Sequence, residues 1–120
     1  MTEWNGRWKP VPEQQALSLL GLARRAGRLS PGHDAAVEAI VKNKACLCLC
    51  CADASARLQR EMRHNCSYAH KSIPYFTATF SMAALSHAIG SKAAVVTVDD
   101  AGFAAKLTSL LQQMQNTGKE

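Results

Sequence analysis

An α/β layer fold with helices on both faces of one sheet is what this sequence predicts, on two observations. Amphipathic stretches of helical period alternate with short apolar runs of strand length, at residues 45–51, 73–78 and 93–98. The run at 45–51 is continuously apolar rather than alternating, the pattern of a strand covered on both sides. At 120 residues the chain is near the commonest domain size and can bury a core without staples.

The elements follow in order. Residues 1–11 carry Trp4, Gly6, Trp8 and Pro10 without periodicity and read as an N-terminal arm. From Glu13 to Arg25, Leu17, Leu20 and Arg24 fall at helical spacing, and Gly27 is placed to end that helix. Ser30-Pro31-Gly32 predicts a helix start, with Ser30 as N-cap and Pro31 in the first helical position. Val37, Ile40 and Val41 would give that second helix its buried stripe, ending near Asn43. Asp53 or Ser55 can cap a third helix, in which Leu58, Met62, Cys66 and Ala69 recur every three or four residues. A short helix over residues 81–89 is ended by Gly90. Asp99 or Asp100 caps a last helix, with Phe103, Leu107, Leu110, Leu111 and Met114 on one side. One domain over residues 12–114 is expected, with a polar tail from 115 to 120.

The net charge of +5 suits a protein that meets polyanions, since phosphates reward clustered Lys and Arg. No apolar run reaches the ~20 residues needed to span a bilayer, so no membrane partner is expected. The N-terminal residues lack an apolar signal core, which predicts a cytoplasmic protein with reduced thiols. An odd total of five cysteines agrees with that and not with a disulfide framework.

Four of the five cysteines crowd into "CLCLCC", residues 46–51. On a strand Cys46, Cys48 and Cys50 point to one face while Leu47, Leu49 and Cys51 point to the other, with same-face neighbours roughly 6.5–7 Å apart. Two sulfurs on one zinc ion lie under about 4 Å apart. A disulfide needs Cβ atoms about 3.8 Å apart. An extended strand offers neither geometry, so these cysteines are expected to act as small apolar residues. No metal and no cofactor are predicted.

No catalytic residues are assigned. There is no Gly-x-Ser-x-Gly elbow, phosphate-binding loop or dinucleotide fingerprint, and His33, His64, His70 and His87 are scattered. The informative stretch is "RRAGRLSPGHDAAVEAIVKNK". Arg24, Arg25 and Arg28 precede a glycine-bearing helix start, and Lys42 and Lys44 follow the helix. Free N–H groups at a helix N-terminus can hold phosphate or base-edge acceptors, and Gly32 lets a ligand approach the backbone.

Together "LLGLARRAGRLSPGHDAAVEAI", a strand ending in "ADAS", "HAIG" and "VVTVDDAGFAAKL" resemble the kink-turn RNA-binding ribosomal protein family (the L-seven-Ae family), in its YlxQ-like bacterial branch. The resemblance runs from about Leu17 to Leu111 with its blocks in order. It implies a three-layer α-β-α sandwich around a four-stranded mixed sheet, and therefore a further short strand near residues 28–30. In that family the RNA is gripped by the first turn of helix two, with a Gly-x-Asn-Glu-x-x-Lys pattern. A second loop, before the last strand, covers a flipped-out base. The matching positions are Gly32, His33, Asp34, Ala35 and Glu38, and the loop from Gly90 to Ala94. Only the glycine is kept. Asp34 offers an acceptor where the family has an amide, Ala35 lacks the family's carboxylate, and Glu38 is an anion in place of a cation.

The resemblance implies a non-enzymatic protein that binds structured RNA, ribosomal or ribosome-associated. Gly32 and His33 would present backbone N–H groups, and Asp34 would accept from a base edge. Arg28, Lys42 and Lys92 would meet phosphates, while Ser91, Lys92, Ala93 and Ala94 would pack beside an extruded base. Two other classes stand beside this one. A protein-interaction module on the same fold would use Trp4 and Trp8 to dock a protein partner. A thiol redox or metal protein would use the cysteines.

Overall fold

The computed structural model describes residues 12–69 and 71–118; the expected arm with Trp4 and Trp8, and His70, lie outside the described residues. The chain forms α1 (Pro12–Arg25), β1 (Leu29–Pro31), α2 (His33–Val41), β2 (Leu47–Cys50), α3 (Ala56–Ser67), β3 (Tyr75–Thr77), α4 (Met82–Ile89), β4 (Val95–Val98) and α5 (Ala101–Gly118). The last helix thus runs four residues past Met114, into the stretch expected as a polar tail.

The sheet has the order β1-β4-β2-β3. Strand β4 is antiparallel to both β1 and β2, and β2 is parallel to β3, which makes the sheet mixed. Strands β1, β2 and β3 therefore all begin at one end of the sheet, called here the far end. Strand β4 begins at the other, near end. Strand β1 is the one that only the family resemblance implied. It is three residues long and carries Pro31, which an edge strand tolerates because its outer side donates nothing to the ladder.

Two apolar clusters sandwich the sheet. One joins Leu47, Leu49 and Cys51 with Val96 and Val98, Leu20 of α1, Leu85 of α4, and Leu107 and Leu111 of α5. The other joins Cys48, Cys50 and Val95 with Ala36, Ala39 and Ile40 of α2 and Met62 and Cys66 of α3. This is the three-layer α-β-α sandwich expected. The cysteine strand alternates as predicted from Leu47 to Cys51. Cys46 departs from the alternation because it precedes the strand, and it packs against the first cluster. Val41 was expected in the buried stripe of α2 but is 73% exposed, since that helix turns Ala36, Ala39 and Ile40 inward.

The helix ends show which polar residues the fold uses locally. Ser55 caps α3 by accepting from the Leu58 N–H at 3.1 Å, whereas Asp53 accepts from Met82 N–H at the start of α4. Asp100 caps α5 by accepting from Phe103 N–H at 2.9 Å. Asp99 instead accepts from Ser30 Oγ at 2.6 Å and from the buried Thr97 hydroxyl at 3.1 Å, which ties β1 to β4. The predicted start of α2 is corrected by the same bond. Ser30 and Pro31 lie in β1, Ser30 spends its hydroxyl on Asp99, and the helix begins at His33 with Gly32 as its N-cap.

All five cysteines are free thiols. The thiol of Cys48 is held well above its ordinary pKa by its hydrogen bond with Cys66 and by burial. Burial does the same to Cys50, and it pushes Cys51 up to about 12. A thiolate is the reactive form, so these groups are nearly silent at neutral pH. In the folded, reduced protein a maleimide should label half-buried Cys46 first and Cys48, Cys50 and Cys51 much more slowly. Rapid labelling of Cys48 in the absence of denaturant would overturn the assignment. Among the described residues no group of three or more His, Cys, Asp or Glu side chains is placed to hold a metal ion, and no helix is long and apolar enough to cross a membrane.

Candidate nucleic-acid interface

The antiparallel register decides which predicted residues meet. Pro31 pairs with Val96 across the β1–β4 ladder, so the chain leaving β1 emerges beside the chain entering β4. One hydrogen bond closes the gap: Gly32 N–H donates to the Val95 carbonyl at 2.8 Å. The Gly32–Asp34 turn and the Ser91–Ala94 loop therefore lie side by side at the near end. Gly32 holds φ at +90°, a conformation that costs a residue with a Cβ and favours glycine. The expectation that Gly32 offers its N–H to a ligand is corrected, because Val95 already takes it. The N–H groups of His33, Asp34 and Ala35 at the start of α2 are the ones left, and among the described residues no side chain caps that helix.

The loop opposite is anchored below and open above. Cys51 N–H donates to the Ala94 carbonyl at 2.9 Å, and Ala93 N–H donates to Ser86 Oγ at 3.3 Å. Ala93 is buried, Ala94 half-buried and Lys92 exposed. Ser91 Oγ is buried and has no hydrogen-bond partner among the described residues. Buried hydroxyls are normally satisfied, so this one is a vacant donor and acceptor in the loop.

His33 is held from two sides. Its Nε2 lies 2.6 Å from Glu61 Oε2 on α3, and its Nδ1 lies 3.2 Å from Asp34 Oδ1. Both carboxylate oxygens accept, so both ring nitrogens need protons and the arrangement favours imidazolium. The Glu61 hydrogen bond and then that of Asp34 raise the His33 pKa, against a small opposing effect of burial. With the folded pKa raised, the pairing is complete below the ordinary histidine pKa and is lost as pH rises through the raised one. It also brings α3 to this end. Arg57 lies one turn before Glu61 on the same helix face, and Arg60 is beside it, both exposed. Sequence reasoning missed these two arginines and Glu61, and the only signal was the basic first half of α3.

Two predicted residues are elsewhere. Lys42 follows the nine-residue α2, about 13 Å from Gly32 along the helix axis, and its Nζ binds Glu38 Oε2 at 2.7 Å. Arg28 precedes β1 at the far end, where its carbonyl accepts from Asp99 N–H. The structure thus gathers Gly32, His33, Asp34, Ser91, Lys92, Ala93 and Ala94 and sets Arg28 and Lys42 apart from them.

Residues 14–108 match the model of the "Ribosomal protein L7Ae/L30e/S12e/Gadd45 family". The chain is 40% identical over 94 residues to RNA-binding protein YlxQ of Bacillus subtilis (strain 168), covering 78% of this chain and 91% of that protein. It is 33% identical over 99 residues to RNA-binding protein YlxQ of Enterococcus faecium, covering 82% of this chain and 93% of that one. A solved structure of a protein of unknown function from Bacillus halodurans C superposes with a TM-score of 0.74 at 33% identity, covering 81% of this chain and 96% of that chain. The 15.5kD RNA binding protein of Giardia lamblia shares the fold, with a TM-score of 0.64 at 18% identity over 83% of this chain and 84% of that one. The chain belongs to the ribosomal protein L7Ae/L30e/S12e/Gadd45 family, as a YlxQ-like member.

Proposed function

We propose that the protein is a non-enzymatic RNA-binding protein of the cytoplasm, ribosome-associated, that grips structured, kink-turn-like RNA at the near end of its sheet. The observation that carries this is the 2.8 Å bond from Gly32 N–H to the Val95 carbonyl, which holds the α2 start and the Ser91–Ala94 loop as one surface. That surface combines the uncapped N–H groups of the α2 start with the exposed Lys92, both suited to phosphate oxygens and base edges. Membership of the family and the names of the YlxQ relatives support the same ligand. The binding unit is a single domain over residues 12–114. The protein-interaction reading draws on Trp4 and Trp8, which lie outside the described residues.

The test is ultraviolet crosslinking of the protein to RNA in its own cells, followed by mass spectrometry of the crosslinked peptides and sequencing of the RNA. Crosslinks are expected at residues 32–35 and 91–94, on RNAs with a sharply bent internal loop. Crosslinks confined to other segments, or recovery of no RNA above background, would overturn the reading.

A further inference from the structure

Among the described residues the positive charge is not centred on the near end. There Arg57, Arg60 and Lys92 stand with Glu13, Asp34, Asp53 and Glu61, so the described carboxylates outnumber the described fixed cations. The far end carries Arg24, Arg25, Arg28, Lys42, Lys44 and Lys71, all exposed, against Glu38, Asp99 and Asp100. Each of those three carboxylates is engaged: Glu38 with Lys42, Asp99 with Ser30 and Thr97, and Asp100 with the Phe103 N–H. Arg24, Arg25, Arg28, Lys44 and Lys71 have no ion-pair partner among the described residues.

Topology makes these cations a row. Strands β1, β2 and β3 all start at the far end, preceded by Arg28, Lys44 and Lys71 respectively. Three strand spacings of about 4.8 Å set the width of the row at roughly 14 Å, and Arg24 and Arg25 extend it from the end of α1. Two hydrogen bonds fix its middle, where β4 exits: Asp99 N–H donates to the Arg28 carbonyl at 2.8 Å, and Cys46 N–H to the Val98 carbonyl at 2.7 Å. Cations in a last helical turn or at its C-cap can serve the helix dipole, which accounts for Arg24 and Arg25 in the last turn of α1 and for Lys42 at the C-cap of α2. Arg28, Lys44 and Lys71 lie outside the helices, where that need is absent.

We propose that the far end is a second RNA surface, on which Arg24, Arg28, Lys44 and Lys71 bind backbone phosphates of a segment other than the one met at the Gly32 turn. Contacts of this kind are independent of sequence and release counterions, so they supply affinity and salt dependence while the near end supplies discrimination. The inference rests on RNA being the ligand and goes beyond the near-end reading.

The test is a set of titrations of the full chain on a plain RNA duplex and on a kink-turn RNA, over roughly 50–300 mM KCl. R24A/R28A/K44A is expected to flatten the dependence of log K on log[KCl] by about two to three on both RNAs, leaving their affinity ratio unchanged. The charge-keeping set R24K/R28K/K44R should restore the parent slope, which separates charge from fold. Lys92→Ala at the near end should instead lower the ratio. An unchanged slope in the triple variant with a response to Lys92→Ala sinks the far-end proposal alone. No response from either sinks both readings. If the triple variant keeps its RNA slope but loses co-sedimentation with phosphatidylserine vesicles, the surface serves a membrane and the proposal is wrong.

Discussion

Replacing Phe80 by alanine is expected to lower the unfolding free energy by about 3–5 kcal/mol, at the upper end for a single truncation in a core. The ring is 2% exposed and belongs to the cluster that includes Leu20, Leu49 and Leu85. Its segment also carries hydrogen bonds on which the near end depends. The Phe80 carbonyl accepts from Ala52 N–H at 2.9 Å, and the Ala78 N–H donates to the Cys50 carbonyl at 2.7 Å. The next residue, Ser81, caps α4, the helix that leads into the Ser91–Ala94 loop. Urea denaturation of parent and variant, followed by circular dichroism, reads the difference. A loss under about 1 kcal/mol would show that the neighbours close over the missing ring and that the anchoring assigned to it is wrong. Because Phe80 is packed away from solvent, the folded fraction of the variant should keep the parent's ratio of kink-turn to duplex affinity.

Phe80 also marks the boundary of what the sequence makes legible. It lies between β3 and α4, where neither a helical nor a strand period applies, so no pattern marks it as core. Periodicity and short apolar runs do mark the five described helices and three of the four described strands, β2 and β4 because every residue in them is buried and β3 because its half-buried aromatic pair still reads as apolar. They miss β1 because three residues with a proline carry too little β-signal, and the local rules point the other way. Ser30-Pro31 has the composition of a helix start, but Asp99, sixty-nine residues away, offers Ser30 a 2.6 Å bond that only the folded sheet creates. The pair Asp99-Asp100 shows the same split, with one carboxylate capping locally and the other serving that long-range bond. The site follows the same division. Gly32 and the loop before β4 are recognisable as segments, but their meeting depends on the β1–β4 register. Arg28 and Lys42 are within ten residues of Gly32 in the chain, yet a strand and a helix carry them to the opposite end. Glu61 is far away in sequence, yet the packing of α3 beside α2 brings it to His33.

Discrimination between RNAs is where the departures from the family pattern should have their largest functional effect. Reading a base edge needs donors and acceptors placed to match it, and a good bidentate pair gives ~1–3 kcal/mol in duplex grooves. Ala35, in the first turn of α2, has no group to accept from a base, so about one such pair is missing. The parent should accordingly prefer a standard kink-turn over a plain duplex by roughly ten-fold to a hundred-fold, at ~1.4 kcal/mol per factor of ten. Ala35→Glu with Glu38→Lys should raise that preference by about ten-fold or more. The structure apportions the gain between the two changes. Glu38 is already bound to Lys42 at 2.7 Å, so its charge is partly neutralised and its repulsion of phosphate is modest. Lysine at that position would face Lys42 one turn on, a like-charge pair that costs a helix about 0.2–0.5 kcal/mol. Most of the gain should therefore come from Ala35→Glu alone, and a titration of both single variants beside the double variant, on both RNAs at one salt concentration, measures the division. If the parent already selects the kink-turn several thousand-fold, this branch reads the turn through residues other than those at 34 and 35. If Ala35→Glu leaves the ratio unchanged while the protein remains folded, base edges do not reach the first turn of α2, and the near end binds its RNA through phosphates alone.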